Sequence, residues 1–416
     1  MHRRHFLKTS AIGAFAPFAA SAFTVQQNPG RIPKETLDAI KSRIKPIIDE
    51  ERQDRLEKAR NLMHEQSIDA LLFDAGISLK YFTDINWGRS ERLFAMILPK
   101  NGAPQYVAPK FEESRTREQV GNAPLLTWEE DESPYTLVRR ILLDNHILTG
   151  TIGIEETTRH FVTENISKEI GNIKLVSGTL ITAECRCVKS PHEIELMQIA
   201  DDITAEVFKA SIPQLREGMT EREFSSIISK QFSEFGVGGG ALVLFGEASA
   251  HPHGLEKQHV LQEGDIVLID GGCSVEGYAS DVTRTTVFGK PTDKMKKVFN
   301  IVLTAQSSAL AAAKPGVPAE AIDAAARKVI VDAGYGPDYK YFTHRLGHGI
   351  GMEGHEWYYL VRGNKRPEKV GETHSNEPGI YIVGEFGIRL EDEMLITENG
   401  AKLLLPQAES LEKMFS

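Results

Sequence analysis

The sequence is short of cysteine, which excludes a scaffold held together by disulfides. Its 416 residues include three cysteines, an odd number, and Cys185 and Cys187 are separated by a single residue. That count and spacing imply no disulfide framework. Cys273 stands beside a carboxylate motif without an accompanying base motif, which favours a small packing residue over a nucleophile.

The chain also lacks the marks of nucleic-acid-binding and repeat proteins. No Lys/Arg-rich block occurs beyond the N-terminus, and the formal net charge is −10, which argues against nucleic acid as a partner. There is no low-complexity segment and no short-period repeat. With 41% apolar and 25% charged residues, the chain can build two domains with cores of their own.

Residues 1–22 are predicted to be a twin-arginine signal peptide. Arg3–Lys8 matches the twin-arginine pattern, and a weakly apolar run from Ser10 to Ala20 leads to small residues suited to cleavage. The run is shorter than the ~20 residues that a membrane span needs, and Pro17 interrupts it. We therefore expect a cleaved signal rather than a stable membrane span, and a periplasmic or secreted protein.

Two domains are predicted after the signal. Residues 23–50 are polar and contain three prolines, which is typical of a linker or loosely packed leader. Residues 51–185 alternate helical and strand patterns, such as the strand Ala70–Phe73 after a helix that starts near Arg52, and indicate an α/β domain. Residues 186–416 are expected to form the second domain.

Side-chain signals mark the helices of the second domain. Ser190-Pro191-His192-Glu193 combines a hydroxyl cap, proline at the first helical position and glutamate three residues after the cap. The helix it opens is expected to reach about residue 210. Further helices are predicted from Asp293 onward and over Ala319–Ala333, the latter ending at Gly334.

Carboxylates in this domain recur beside strands and glycine turns. Ile266–Ile269 is typical of a buried strand that ends at Asp270, and Gly271-Gly272 is expected to turn the chain. Asp281 lies on the returning strand. A hairpin of this kind would bring Asp270 and Asp281 across from each other.

A second hairpin is predicted to repeat this arrangement. Glu377 opens a strand over Gly379–Val383, Gly384–Gly387 turns the chain, and Ile388–Thr397 returns with Glu391. Side chains alternate between the two faces of a strand. One face is therefore expected to carry Ile388, Leu390 and Met394, and the other Arg389, Glu391 and Glu393.

These carboxylates and one histidine form a donor set suited to metal. Asp270, Asp281, Glu377 and Glu391, with His348 from a glycine-flanked loop, suit a pair of divalent ions better than a single structural zinc. Four close carboxylates repel one another unless cations neutralise them. Any one of them alone is better interpreted as a solvated turn residue, but that interpretation is weak for all five residues together.

Five motifs then carry a family resemblance. Asp-Gly-Gly, Ser-Asp-Val-Thr-Arg-Thr, Gly-His-Gly-Ile-Gly, Glu-Pro-Gly-Ile-Tyr and Arg-Leu-Glu-Asp occur in that order. With them the chain resembles the pita-bread metallopeptidases, in particular Xaa-Pro dipeptidases (prolidases) and Xaa-Pro aminopeptidases, over roughly residues 52–405. The resemblance implies an α/β N-terminal domain followed by an α+β pita-bread catalytic domain.

The resemblance also implies a role for each metal ligand. Asp270 would bind one ion, Asp281 and Glu391 would bridge both ions, and His348 and Glu377 would bind the second. Glu377 would also take the proton of the bridging water. Manganese is the implied metal, and the oxygen-rich donor set leaves cobalt, iron and zinc open.

Further residues fall at the family's substrate positions. His253 and His355 match two substrate-side histidines, although His251 would match instead of His253 if the register were shifted by two. Taken alone, each histidine fits a structural role equally well. The pocket positions correspond to His344, Tyr381 and Arg389.

The implied activity is hydrolysis of the peptide bond that precedes proline, through a hydroxide that bridges two metal ions. Whether the enzyme is a dipeptidase or an aminopeptidase stays open. The alternatives are hydrolysis of another small amide or ester on the same fold, as in creatinase, and a non-catalytic binding module. The binding module predicts loss of metal ligands, whereas all five are present.

Two departures from the family pattern lie near the expected pocket. Trp357-Tyr358-Tyr359 follows His355-Glu356 where relatives usually place a proline, and Glu372 and His374 occupy positions that are commonly more apolar. His374 is interpreted as a hydrogen-bonded wall residue rather than an extra ligand. The resemblance further implies a homodimer in which the loop Asn86–Arg89 could reach toward the partner's active site.

Overall fold

The computed structural model describes residues 30–415, so the predicted signal peptide lies outside the described residues. Part of the predicted leader does lie within them, and there the linker prediction is wrong. Helix α1 (Lys34–Lys41) buries Ile40, and Ile32 and Ile47 are buried in the same core as the second domain. Isolated isoleucines among polar residues and prolines have no periodicity that a sequence reading could detect.

The N-terminal domain is a mixed sheet between two layers of helices. The strand order is β4-β3-β2-β1-β5-β6, and β1 pairs in parallel with β5 but antiparallel with β2. Apolar clusters lie on both faces of the sheet. The elements are α2 (Asp49–Gln66), β1 (Ala70–Asp74), α3 (Ile77–Thr83), β2 (Ala95–Pro99), β3 (Gln105–Pro109), α4 (Glu113–Val120), β4 (Leu125–Trp128), α5 (Pro134–Asp144), β5 (Gly150–Ile154), α6 (His160–Glu169), β6 (Ile173–Ser177) and α7 (Thr179–Cys187).

The second domain packs helices against three small sheets. Their strand orders are β10-β8-β7 with β9 on β8, β12-β11-β13-β16-β17, and β14-β15. The elements are α8 (Pro191–Ser211), α9 (Glu221–Phe235), β7 (Gly239–Phe245), β8 (Ile266–Val275), β9 (Tyr278–Ala279), β10 (Val282–Val287), α10 (Asp293–Ala312), α11 (Ala319–Asp332), β11 (Gly347–Gly349), β12 (Glu356–Leu360), β13 (Thr373–Asn376), β14 (Gly379–Ile382), β15 (Phe386–Arg389), β16 (Asp392–Thr397) and β17 (Gly400–Leu403).

The predicted helix starts in this domain are confirmed. The Ser190 hydroxyl accepts a hydrogen bond from the backbone N–H of Glu193, and the Glu193 carboxylate accepts one from the backbone N–H of Ser190, which is the predicted capping box. Helices α10 and α11 begin at Asp293 and Ala319, as predicted.

The first predicted hairpin forms, but its turn is elsewhere. Strand β8 runs through Gly271 and Gly272 and pairs on one side with β7 and on the other with β10, so the glycine pair does not turn the chain. A Cβ at Gly271 would lie 2.2 Å from the carbonyl oxygen of Gly240 on β7. The glycine is therefore needed for close strand approach, and Asp270 lies opposite Thr283 rather than Asp281.

The second predicted hairpin is also partly corrected. The expected strand over Ile388–Thr397 is two strands, β15 and β16, interrupted at Leu390 and Glu391. The predicted apolar face is confirmed, since Ile388, Leu390 and Met394 share one buried cluster. The opposite face does not meet solvent, because Arg389, Glu391 and Glu393 are buried as well.

Buried ion pairs connect the two domains. Arg55 donates to Glu193 and to the Tyr278 hydroxyl, while Arg186 pairs with Glu356. Within residues 30–415, no helix combines the length and hydrophobicity that crossing a bilayer requires.

We expect Gly271→Ala to destabilise the protein by about 1–3 kcal/mol, since the methyl group must displace backbone atoms of β7. Gly238→Ala is the matched control, because nothing lies within 4 Å of its Cβ position and its backbone is not left-handed. Denaturant midpoints of both variants measure the difference. Equal midpoints would contradict the close-approach explanation.

Candidate active site

The predicted site lies where two sheets of the second domain meet. Thr283 on β10 and Glu391, between β15 and β16, exchange backbone hydrogen bonds of 3.3 and 3.2 Å. The Thr283 hydroxyl also donates to Glu391 Oε2 at 2.6 Å. Thr283 therefore fixes Glu391 through both its backbone and its side chain. The motif Ser-Asp-Val-Thr-Arg-Thr contains this threonine, but nothing in the sequence signals this role.

All five predicted metal ligands line one cleft of about 140 Å³. Donor atoms of Asp270, Asp281 and Glu391 lie within 4.8 Å of one another, and so do those of His348, Glu377 and Glu391. The two groups share Glu391. The structure therefore brings together the complete predicted set, in two overlapping groups.

His348 is held in the form that can bind a cation. It lies on β11 rather than in the predicted loop, and its Nδ1 is 3.0 Å from the carbonyl oxygen of Gly349. A carbonyl only accepts, so Nδ1 carries the proton and the Nε2 lone pair is free. Burial and the adjacent His355 lower the pKa of His348 to about 3, which keeps the ring neutral. Nε2 lies 3.4 Å from Glu377 Oε1.

The carboxylates of the cleft destabilise one another. Burial, and then repulsion by Asp270, raise the pKa of Glu377 to about 8. Burial and the same kind of repulsion raise the pKa values of Asp281 and Glu391 well above their ordinary range. Without cations these groups cannot all ionise at neutral pH, so the cleft favours bound positive charge.

The three predicted pocket residues form one hydrogen-bonded chain that ends at Asp270. His344 Nδ1 lies 2.8 Å from the carbonyl oxygen of Arg345, so Nε2 accepts from the Tyr381 hydroxyl at 2.7 Å. Arg389 donates to the Tyr381 oxygen at 2.9 Å and forms an ion pair with Asp270. His344 and Arg389 line the cleft, but their polar atoms are already engaged by the protein.

The two predicted substrate-side histidines are found at the mouth of the cleft. His253 and His355 both line it and are exposed, whereas His251 is not among the lining residues. Of the two registers left open by the sequence, this placement favours His253. The His355 ring stacks on His348 with centroids 3.8 Å apart. Burial and Arg345 lower the pKa of His355, so its ring is neutral at pH 7.

The remaining candidates lie away from the cleft. His374 Nε2 is 2.6 Å from Glu368 Oε2 in a separate buried group with Glu372, so the predicted hydrogen bond is present, but His374 does not line the cleft. The three cysteines are buried and unpaired, and burial raises the pKa of each thiol to about 12. Unreactive thiols agree with the predicted packing role of Cys273.

Comparison with known proteins identifies the family. Residues 195–398 match the model of metallopeptidase family M24, and residues 55–188 match the creatinase/prolidase N-terminal domain. The chain belongs to metallopeptidase family M24. The predicted fold, an α/β N-terminal domain followed by an α+β pita-bread domain, is thereby confirmed.

The relatives of this M24 metallopeptidase cover most of its length. An uncharacterized peptidase of Schizosaccharomyces pombe is 35% identical over 371 residues, covering 84% of this chain and 80% of the relative. The prolidase of Thermococcus sibiricus is 32% identical with a TM-score of 0.77, covering 85% of this chain and 96% of the other. An X-Pro aminopeptidase of Thermotoga maritima is 30% identical with a TM-score of 0.72, covering 84% and 98%.

The donor set of this metallopeptidase fits the metal that its family implies. Carboxylate oxygens and one neutral imidazole are ligands that divalent ions prefer, and Ser375 and Thr283 hold Glu377 and Glu391 by hydrogen bonds. Bound cations would remove the repulsion that raises the carboxyl pKa values.

The stability of the metal-free protein should fall as pH rises, and bound metal should reverse this dependence. Because folding raises the pKa of Glu377 from 4.5 to about 8, its contribution to stability is present below pH 4.5 and lost as pH rises through 8. We expect the melting temperature in chelator to fall between pH 5 and 8. A divalent ion at a thousandfold over its Kd should restore about 4 kcal/mol.

Two variants test whether repulsion among the carboxylates causes these changes in melting temperature. Asp281→Asn should stabilise the metal-free protein at pH 8, since it removes repulsion, and should abolish the stabilisation by metal. Glu385→Gln, on the exposed hairpin tip, should behave as wild type. A wild-type melting temperature that changes neither with pH nor with added metal would contradict the proposed electrostatics.

Proposed function

We propose that this protein hydrolyses the peptide bond that precedes proline, as an Xaa-Pro dipeptidase or aminopeptidase with two divalent ions. The observation that carries the proposal is the pair of donor groups that share Glu391 inside one cleft. The similarity to a prolidase and to an X-Pro aminopeptidase supports proline specificity. Manganese is our first choice of metal, on the family resemblance.

The ions would be held by Asp270, Asp281, His348, Glu377 and Glu391. When bound, they would supply a water nucleophile of lowered pKa and a Lewis acid for the scissile carbonyl.

Glu377 is placed to move protons in this reaction. Ser375 donates to its Oε1 at 3.2 Å, and its Oε2 lies 3.7 Å from His344 Nδ1. The carboxylate would take the proton of the attacking water and deliver it to the leaving nitrogen. The proline nitrogen is too basic to leave as an anion, so the C–N bond breaks as this proton arrives and proline departs as a neutral secondary amine.

The two exposed histidines would act on the carbonyl oxygen. A neutral imidazole N–H at the cleft mouth can donate to an oxyanion that develops there. His355 is held against His348 by stacking, whereas His253 lies in the segment that follows the 3₁₀ helix Gly246–Ala250. We assign the main role to His355 and a supporting role to His253.

Two other functions remain as alternatives. A creatinase-like hydrolase of another small amide or ester would use the same fold, but the retained ligand set favours a metal-dependent enzyme. A non-catalytic module would have no use for five convergent ligands. Turnover by metal-loaded protein separates these alternatives.

The decisive experiment compares an Xaa-Pro dipeptide with an Xaa-Pro-Yaa peptide. Metal-stripped protein should release the N-terminal residue only after Mn²⁺ is added, and the preferred length distinguishes dipeptidase from aminopeptidase. If two metals bind and neither peptide is cleaved, proline specificity is wrong.

Replacing the proposed base tests the mechanism within the same assay. Glu377→Gln should lower kcat about 10²- to 10⁴-fold, since a general base is lost while the side-chain volume is kept. Glu385→Gln serves as the matched control. A far-UV circular dichroism spectrum like that of wild type confirms folding, and near-normal turnover by Glu377→Gln would reject its role.

We also propose export through the twin-arginine route and assembly as a homodimer. A reporter fused to residues 1–30 tests export, because export that survives replacement of Arg3 and Arg4 by lysine would reject the twin-arginine route.

The homodimer proposal rests on the family resemblance. Within one chain, Trp87 stacks on Phe94 with ring centroids 4.3 Å apart, so the loop Asn86–Arg89 packs on its own domain. Light scattering that gives a monomer mass would reject the dimer.

A further inference from the structure

The C-terminal segment is linked by hydrogen bonds to the parts of the chain that carry two of the proposed metal ligands. Residues 406–415, here called the C-terminal strap, follow β17 and form neither helix nor strand. Ala408 and Leu411 of the strap are buried in the apolar cluster that also contains Ile388 and Leu390. The strap is therefore fixed to the catalytic domain by packing, and two polar links extend from it.

Arg284 on β10 makes the first link. Its side chain is fully buried and donates to the carbonyl oxygens of Met414 and Pro406 in the strap at 3.1 and 3.2 Å. The same guanidinium donates to the carbonyl oxygen of Glu391 at 2.8 Å and to the carboxylate of Asp392 at 2.6 Å. One side chain thus joins the C-terminal strap to a proposed metal ligand and to the residue that follows it.

Gln306 on α10 makes the second link. Gln407 of the C-terminal strap donates to its Oε1 at 2.7 Å. Gln306 Nε2 donates in turn to Asp392 Oδ2 at 2.9 Å and to the carbonyl oxygen of Asn376 at 3.2 Å. The side-chain amide of Asn376 donates back to the carbonyl oxygen of Gln306 at 3.0 Å. Asn376 immediately precedes Glu377, so this link reaches a second proposed ligand.

Arg284 needs the C-terminal strap to satisfy its own donors. A guanidinium has five N–H groups, and each of them has an acceptor here. Two of the acceptors belong to the strap, and the others are the carbonyl oxygens of Thr283 and Glu391 and the carboxylate of Asp392. Because a buried donor without an acceptor is costly, Arg284 is expected to move when the strap is removed. The backbone of Glu391, which Arg284 holds, would then move as well.

We propose that the C-terminal strap, acting through Arg284 and Gln306, positions Glu391 and Glu377 for the metal ions, so that full metal affinity requires an intact C-terminus. The inference rests on the proposed metal-dependent function and gives positioning roles to residues outside the cleft. Partners that orient metal ligands typically change metal affinity about 10- to 100-fold.

The test shortens the C-terminal strap and measures metal binding directly. A chain that ends at Glu412 loses the Met414 acceptor and keeps the pair between Arg284 and Asp392. Calorimetric titration of the metal-stripped proteins with Mn²⁺ at 20 °C should show binding about 10- to 100-fold weaker than in wild type. Far-UV circular dichroism at the same temperature confirms that the shortened chain is folded.

Lys413→Met is the matched control within the C-terminal strap. The Lys413 side chain is exposed and pairs with Glu409 at the surface, so its replacement leaves both links intact. This variant should bind Mn²⁺ with the affinity of wild type.

Spectroscopy separates positioning from a purely structural role. The two donor groups share Glu391, so two Mn²⁺ ions held by them are expected to give a spin-coupled electron paramagnetic resonance spectrum in wild type. Displacement of Glu391 in the shortened chain should weaken this coupling. Arg284→Lys should do the same, because an ammonium has three N–H donors and cannot serve all the acceptors of Arg284.

Unchanged Mn²⁺ affinity and an unchanged spectrum in the shortened chain would overturn the proposal, even if its melting temperature in chelator falls. If the shortened chain does not fold, Gln407→Met replaces it, because this variant breaks the link to Gln306 and keeps the chain length. Wild-type affinity in Gln407→Met would then overturn the proposal.

Metal binding is measured without a peptide, so the Kd values decide this inference even if proline peptides are not cleaved. Two bound ions without cleavage would reject the proposed specificity alone. A wild-type protein that binds no Mn²⁺ would overturn both the metal centre and the role of the C-terminal strap.

Discussion

The mutual repulsion of four carboxylates in one cleft is the constraint on which the rest of this structure depends. One strand, β8, and three connections must deliver Asp270, Asp281, Glu377 and Glu391 to the same few ångströms, and burial raises the cost. The protein offsets part of this cost. Arg389 pairs with Asp270, and hydroxyl groups of Ser375 and Thr283 donate to the two glutamates. The remaining repulsion favours divalent ions, so a cluster that is unstable alone is suited to hold metal.

Neutralisation of buried charge also explains how the N-terminal domain contributes to the structure of the cleft. Glu356, next to His355, is fully buried, and burial alone would raise its pKa. Attraction by Lys189 and Arg186 outweighs burial and lowers the pKa, so Glu356 remains ionised and accepts backbone N–H groups of Met352 and Glu353. Removing one partner of such a buried pair is costly, because it leaves a charge without compensation. The loop that carries His355 is therefore fixed by residues at the boundary between the domains.

The parts of this structure that local chemistry determines could be predicted from sequence. The cap at Ser190, the starts of α10 and α11 and the apolar face of Ile388, Leu390 and Met394 follow from hydrogen bonding and periodicity over a few residues. The metal-ligand set was recognisable because its donors stand in ordered motifs. Errors arose where a tertiary neighbour decides the outcome. Gly271 has the composition of a turn, and only the approach of β7 reveals that it belongs inside a strand. The packing of Ile32 and Ile47 likewise depends on helices more than 140 residues away in sequence.

The two arginines of the cleft show why the metal ligands could be predicted more readily than the roles of their neighbours. Arg345 and Arg389 are both motif residues, and nothing in their sequence context separates their roles. The two arginines differ because their partners differ. Arg389 faces Asp270 and Tyr381, whereas Arg345 faces the ring of Tyr359 and the open cleft. A guanidinium that the protein has already neutralised can orient a ligand of the metal but has little left for a substrate. Arg345 has no carboxylate at ion-pair distance within residues 30–415 and stacks on Tyr359 instead. The partners of each arginine are therefore set by the fold, and the motif that contains the arginine does not reveal them.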